Sequence, residues 1–160
     1  MAQDITLPIE DGYVNVRVGA IIRKDDKVLM VGNDAVDYYY SVGGRIQFGE
    51  SAEEAVRREV REETGCALEI DRLGFVHEDF FLCDLPSKWG KMIYEIAFYF
   101  SMKTPADFEP VSGSFAEDGS REYLAWVPLD TPKRMYPDFF RTELLRPVPT
   151  VRHILTDERD

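Results

Sequence analysis

Between Gly44 and Cys66 the chain reads GRIQFGESAEEAVRREVREETGC, and this stretch constrains fold and chemistry together. A glycine pair, Gly43-Gly44, predicts a turn directly off an apolar strand, and a charged helix follows it. Ser51 with Glu54 three residues on predicts a capping box at the helix start. Ala52, Ala55, Val56 and Val60 form the apolar stripe, and Gly65 is placed to end the helix in a left-handed conformation. Glu59, Glu62 and Glu63 are spaced i, i+3, i+4, so they share a face and repel. The last two also lie near the helix C-terminus, where the macrodipole disfavours anions. A segment that breaks two local rules at once invites a compensating cation. The plainer alternative is a solvated face, with Glu53–Arg57 and Glu54–Arg58 as ordinary i, i+4 supports.

The remaining chain sets the frame for this helix. Residues 1–12 read as an arm, with a turn signal at Asp11-Gly12. Tyr13 to Arg23 alternates at Val14, Val16 and Val18 and then becomes continuously apolar, the pattern of a strand entering a core. Asp25-Asp26 turns the chain into a second strand, Lys27 to Val31, and Tyr38 to Val42 is a short aromatic strand. Residues 67–82 predict a long strand with a bulge at Gly74, Asp84 to Gly90 a turn, and Lys91 to Met102 a further strand. Residues 103–121 carry Pro105, Pro110, Gly113 and Gly119 without periodicity, the mark of a loop that is functional or disordered. Glu122 to Val127 returns as a strand. Tyr136 to Arg146 predicts a second helix, with Phe139, Phe140, Leu144 and Leu145 on one side, and a frayed end follows. Strands around an early helix, then hairpins, then a late helix imply a mixed sheet with helices on both faces, in one domain over residues 1–160.

The chain has 160 residues and a formal net charge of −11, so it repels a nucleic-acid backbone. A phosphorylated ligand must be drawn in locally. A cluster of carboxylates without His or Cys suits Mg²⁺, with Mn²⁺ as the alternative, and not zinc. Such an ion removes the repulsion, binds phosphate oxygens and activates water. No Lys-Ser or Lys-Thr follows Gly49, which argues against a P-loop. Cys66 and Cys83 are too few for a disulfide scaffold, and no leader-like segment is evident, so a cytoplasmic location is expected. No apolar run approaches membrane-spanning length.

Gly44, Glu50, then Arg58-Glu59-Val60-Arg61-Glu62-Glu63-Thr64-Gly65-Cys66 resembles the Nudix box of the Nudix hydrolase family, with seven fixed identities at their required spacing. Cys66 departs from the larger aliphatic residue usual there, and Ser41-Val42 stands where a proline often precedes the paired glycines. The resemblance implies an α/β fold, an α/β/α sandwich around a mixed sheet. It implies a Mg²⁺-dependent hydrolase of the diphosphate bond in a nucleoside diphosphate linked to another moiety. A nucleoside triphosphate pyrophosphatase and a non-catalytic ligand-binding module are the alternatives. It further implies Glu59 and Glu63 as principal metal ligands, Glu62 as a further ligand or water-holder, and Glu50 as a contributor through water or a second ion. The Gly43-Gly44 backbone joins that shell, and Arg58 orients the glutamates. The general base varies in the family; Glu62 or Glu63 of the box, or a later glutamate, here Glu122 and then Glu117, are the candidates. A nucleotide-derived small molecule is the expected partner, and a homodimer is suggested by family analogy alone.

Outside the box, Glu95 shares a strand face with Ile93, Ala97 and Tyr99 and is a weaker site candidate. His77 reads as structural. Phe80, Phe81, Trp89 and Phe115 are candidates for stacking a base, with core packing the alternative.

Overall fold

The computed structural model describes residues 2–111, 114–115, 120–147 and 149–159. In chain order the strands are β1 (Thr6–Ile9), β2 (Gly12–Ile21), β3 (Arg23–Lys24), β4 (Lys27–Asn33) and β5 (Tyr38–Arg45). Helix α1 (Ala52–Thr64) follows, then β6 (Ile70–Leu82), β7 (Met92–Met102), β8 (Ser114–Phe115), β9 (Arg121–Pro128) and β10 (Arg134–Tyr136). The chain closes with α2 (Phe140–Glu143) and β11 (Arg152–Asp157). The strands form a mixed sheet in the order β11-β6-β7-β2-β5-β4-β9-β8, with β1 on β2, β3 on β4 and β10 on β5. β2 and β7 are parallel, as are β6 and β11, and β5 and β10.

Strand parity divides the apolar residues between two cores. Val18, Ala20, Ile22, Leu29 and Val31 pack with Ala55, Val56 and Val60 of α1. Ile21, Val28 and Met30 point the other way, to Phe75, Ala97, Met135, Phe140 and Leu144. Successive strand residues face opposite sides, so continuous apolar runs in β2 and β4 are what a sheet covered on both faces requires. The expected mixed α/β architecture is therefore present, with a second helical layer only one turn long.

β5 is the strand on which the site depends. Its first half, Tyr39 to Ser41, pairs with β4, and its second half, Val42 to Arg45, pairs with β2. The predicted glycine turn is thus corrected: Gly43 and Gly44 lie inside β5, opposite Gly19 and Val18. Gly43 has φ 152°, and a Cβ there would collide with the Val18 carbonyl. The chain turns later, at Phe48-Gly49.

Helix α1 carries the expected caps. Ser51 Oγ accepts from the Glu54 N–H at 3.2 Å while Glu54 accepts from the Ser51 N–H at 2.8 Å. Gly65 sits at φ 75° and its N–H donates to the Arg61 carbonyl. A cap of this kind contributes about 1 kcal/mol.

Three other expectations need correction. Residues 6–9 form an edge strand on β2 and not a free arm. The late helix shrinks to Phe140–Glu143: Phe140 and Leu144 are buried as expected, but Leu145 is 71% exposed. The tail is not frayed, because β11 pairs along β6 from Phe75 to Phe80 and places Ile154 against the second core. The described part of the loop after β7 is anchored, with Phe108 buried against the first core and the Val111 N–H on the Thr64 carbonyl at 2.6 Å. The bulge predicted at Gly74 is present as a register shift between Leu73 and Phe75.

Candidate active site

The capping box determines what Arg58 can do. Glu54 is turned back to the Ser51 N–H, so the expected Glu54–Arg58 support does not form among the described ion pairs. Arg58 instead reaches across the turn to Glu50, with Nε 2.6 Å from Oε2 and Nη2 2.9 Å from Oε1. This fork-to-fork geometry is the strongest form of a charge-assisted pair. The same guanidinium donates to Glu59 at 2.8 Å, to Glu62 at 3.3 Å and to the Arg45 carbonyl at 3.1 Å. Arg58 therefore ties three of the box glutamates to the end of β5. Its hydrogen bond holds the Glu50 carboxyl below the usual range. Glu53–Arg57 remains as the ordinary exposed support.

Glu59 and Glu63 lie on the side of α1 that meets β5. A Cβ on Gly44 would collide with the Glu59 carboxylate, so that glycine is what admits it. Glu63 Oε2 accepts from the Gly43 N–H at 2.8 Å. Burial pushes the Glu63 carboxyl up to about 8, with the Gly43 hydrogen bond opposing and the Glu59 and Glu122 carboxylates adding to the rise. Burial also raises Glu59, against the pull of Arg58. Glu62 is exposed and touches only Arg58 among these groups. No group of three or more His, Cys, Asp or Glu among the described residues is already gathered to hold a metal ion. Arg58 engages a Glu59 oxygen and the Gly43 N–H a Glu63 oxygen.

Glu122 comes to this site from β9, and Glu117 lies outside the described residues, as does the side chain of Phe115. Glu122 stands opposite Asn33 across the β4–β9 ladder. Glu122 and Asn33 lie beside the Tyr40 phenol, and burial, then the Glu122 charge, pushes that phenol up to about 12. Asn33 is buried and its Oδ1 accepts from the Ala35 N–H at 2.8 Å, which turns its amide nitrogen away from that turn.

A second polar group reaches the site from the adjacent strands. Arg17 feels Glu95 first among charges, with Glu63 and Glu59 also acting on it. Its Nε is 3.8 Å from Glu95 Oε1, and Asn15 Nδ2 is 3.4 Å from Glu95 Oε2. Burial, then Glu95 and Glu158, push Asp79 up to about 7. Glu95 is thus in a polar cluster and not on a solvated face; Arg17, Tyr40, Asn33, Asn15 and Asp79 were not singled out from sequence. His77 is structural as expected, buried beside Phe139 with Nε2 2.9 Å from Thr156 Oγ1. Phe80 stacks on Tyr94 at 4.5 Å, and Trp89 is 72% exposed at a hairpin tip rather than in a core.

A family model described as the NUDIX domain matches residues 14–145. The chain belongs to the Nudix family. Its Nudix domain is 39% identical over 61 residues to the ADP-ribose pyrophosphatase of Methanocaldococcus jannaschii, over 36% of each chain. It spans only 36% and 34% of the lengths of the first two curated relatives that it matches. Among solved structures, it is similar to a MutT Nudix hydrolase from Burkholderia pseudomallei, with 26% identity and a TM-score of 0.58 over 78% of this chain and 92% of that one. A MutT protein from Bacillus halodurans shares the fold at TM-score 0.66 and 20% identity, over 91% and 93% of the two chains. No helix among the described residues is long and apolar enough to cross a membrane.

Proposed function

We propose that the chain is a single-domain Nudix pyrophosphohydrolase that cleaves the diphosphate bond of a nucleoside diphosphate linked to another moiety, of which ADP-ribose is the type. The observation that carries this reading is the Arg58 fork on Glu50, Glu59 and Glu62, set beside Glu59 over Gly44 and Glu63 on the Gly43 N–H. The residues fit a hard divalent cation. Each of Glu59 and Glu63 gives one oxygen to a described hydrogen bond, and a glycine leaves the space between helix and strand that a bulkier side chain would fill. Glu59, Glu63, Glu62 and the Gly44 backbone would hold Mg²⁺ or Mn²⁺, with Glu50 contributing through water. When bound, the ion supplies Lewis-acid activation of the diphosphate and neutralises developing charge.

The chain's own residues do the rest. Arg58 orients Glu50, Glu59 and Glu62, and its charge favours the ionised forms of Glu50 and Glu59. Arg17 offers the one guanidinium shared between the box and the Glu95 cluster, and suits a phosphate oxygen. Glu122, beside Tyr40, is the group we assign to accept the proton of the attacking water. The name of the archaeal relative, ADP-ribose pyrophosphatase, supports the substrate class. Two free thiols, Cys66 and Cys83, suit a reducing cytoplasm.

The test is turnover of a panel containing ADP-ribose, a nucleotide sugar and nucleoside triphosphates with Mg²⁺. The expected outcome is hydrolysis of the linked diphosphates, its abolition by chelation, and a loss of orders of magnitude in Glu63→Gln. Preferred hydrolysis of the triphosphates would replace this substrate class. Wild-type turnover by Glu63→Gln would overturn the metal-site assignment. Binding without turnover would leave a ligand-binding module.

A further inference from the structure

Four strands place four polar side chains in one row. Asp79 on β6 stands opposite Glu95 on β7, Glu95 opposite Asn15 on β2, and Asn15 opposite Thr6 on β1. Residues paired in this way point to the same side of the sheet. One pleat towards the second core the same face carries His77, Ala97 and Arg17; one pleat the other way it carries Phe81, Ile93 and Tyr13. The row is therefore a polar band flanked by the apolar Ala97, Phe81 and Ile93, and the Arg17 charge next to it acts on Glu95, Glu63 and Glu59.

The band is poorly satisfied by the protein itself. Asp79 and Glu95 are like charges directly opposite each other, an arrangement that destabilises a sheet. Arg17 and Asn15 reach Glu95 only at 3.8 and 3.4 Å. Asn15 is 4% exposed, yet its Oδ1 has no hydrogen-bond partner; the Thr6 hydroxyl beside it is buried and also has none. Among the described residues only one other buried side-chain atom, Arg23 Nε, shares that condition. Two of three such atoms in one row, next to two crowded carboxylates, mark a place with hydrogen-bonding capacity left unused. The Arg17 and Glu95 side chains keep 34% and 15% of their surface, so the row is reachable at that end.

We propose that the Asp79–Glu95–Asn15–Thr6 row is the subsite for the hydroxyl-bearing sugar attached to the diphosphate. The oxygens of Asp79, Glu95, Asn15 and Thr6 can all accept, and the hydroxyls of a ribose-type ring are donors that suit them. Arg17 then marks the junction between phosphate and sugar. The same row repels a free polyphosphate, which lacks donors, and so favours linked diphosphates over triphosphate chains entering that side. The inference rests on the diphosphate reading of the box.

The test is calorimetric binding of two non-hydrolysable ligands to the full chain with Mg²⁺. One is the α,β-methylene analogue of ADP-ribose; the other is methylenediphosphonate, which has the phosphorus groups and no sugar. The wild-type chain binds the first more tightly. Glu95→Gln and Asp79→Asn weaken that ligand about tenfold and leave methylenediphosphonate within about twofold. Thr6→Val, which keeps the shape and removes the hydroxyl, gives a smaller loss of the same selectivity. Equal weakening of both ligands, or of neither, overturns the subsite. A wild-type chain that binds methylenediphosphonate and gains nothing from the sugar also overturns it, while the diphosphate reading stands. Failure to bind either ligand removes both.

Discussion

Arg58→Ala is the substitution whose cost follows most directly from the geometry. Arg58 is 22% exposed and makes two contacts to Glu50, one each to Glu59 and Glu62, and one to the Arg45 carbonyl. Removing it leaves Glu50, Glu59 and Glu62 without the guanidinium that pairs them. A charge-assisted hydrogen bond is worth about 1.5–3 kcal/mol net, and breaking a buried pair costs about 3–5 kcal/mol. The contacts share one guanidinium and the site is partly wet, so they do not add. The expected loss is about 2–4 kcal/mol at pH 7 and low salt. Its pH dependence has a definite sign. Glu50 is depressed in the folded state by Arg58, so that part of the stability is present above the unfolded carboxyl value, 4.5, and fades as pH falls through the lower folded value. The gap between wild type and Arg58→Ala therefore narrows in acid.

Urea denaturation of both chains at pH 7 and in acid measures this, and repeating it with Mg²⁺ adds a second check. Under the metal reading, Mg²⁺ restores part of the loss in Arg58→Ala, since a cation then stands among the carboxylates the arginine had neutralised. Arg58→Lys recovers less than half, because an ammonium cannot fork to Glu50. A gap under about 0.5 kcal/mol at pH 7 would refute the claim that Arg58 holds the box together.

Three further outcomes are expected. Without metal, Glu63→Gln is more stable than wild type at pH 8: a carboxyl raised from 4.5 to about 8 costs stability as pH rises through that window, by about 2–3 kcal/mol after discounting for solvent screening, and the difference vanishes near pH 4 in the same denaturation assay. Gly44→Ala pushes a methyl into the Glu59 carboxylate, so turnover falls at least about tenfold and Mn²⁺ affinity by titration falls with it, while the melting temperature moves little. Tyr40→Phe lowers kcat about tenfold with KM nearly unchanged, and in a Glu122→Gln background it has almost no further effect, the non-additivity of a residue that acts through another.

Local rules carried the helix and its caps, because Ser51 acts on Glu54 and Gly65 on Arg61, each within four residues. They also carried the apolar strands, where parity in β2 and β4 meets two cores. β11 was invisible for the opposite reason. Its partner β6 lies more than seventy residues earlier, and Arg152–Asp157 has too few apolar residues to announce a strand without it. In the late helix the apolar spacing marked burial correctly at Phe140 and Leu144, but one turn sufficed to bring them in. Arg58 was misread by spacing alone, since i, i+4 pointed to Glu54 and the capping box had already engaged that carboxylate. The Glu95 cluster left a signal of a different kind. Asn15 and Arg17 interrupt β2 on the same face as Ile21, whose neighbours there are core. Two polar residues two apart, inside an apolar strand and aimed at one side, conflict with the burial that the strand otherwise demands. Such a conflict persists where something other than the chain answers it. Asn15 and Arg17 carry that conflict in β2, as the crowded glutamates carry it in the box.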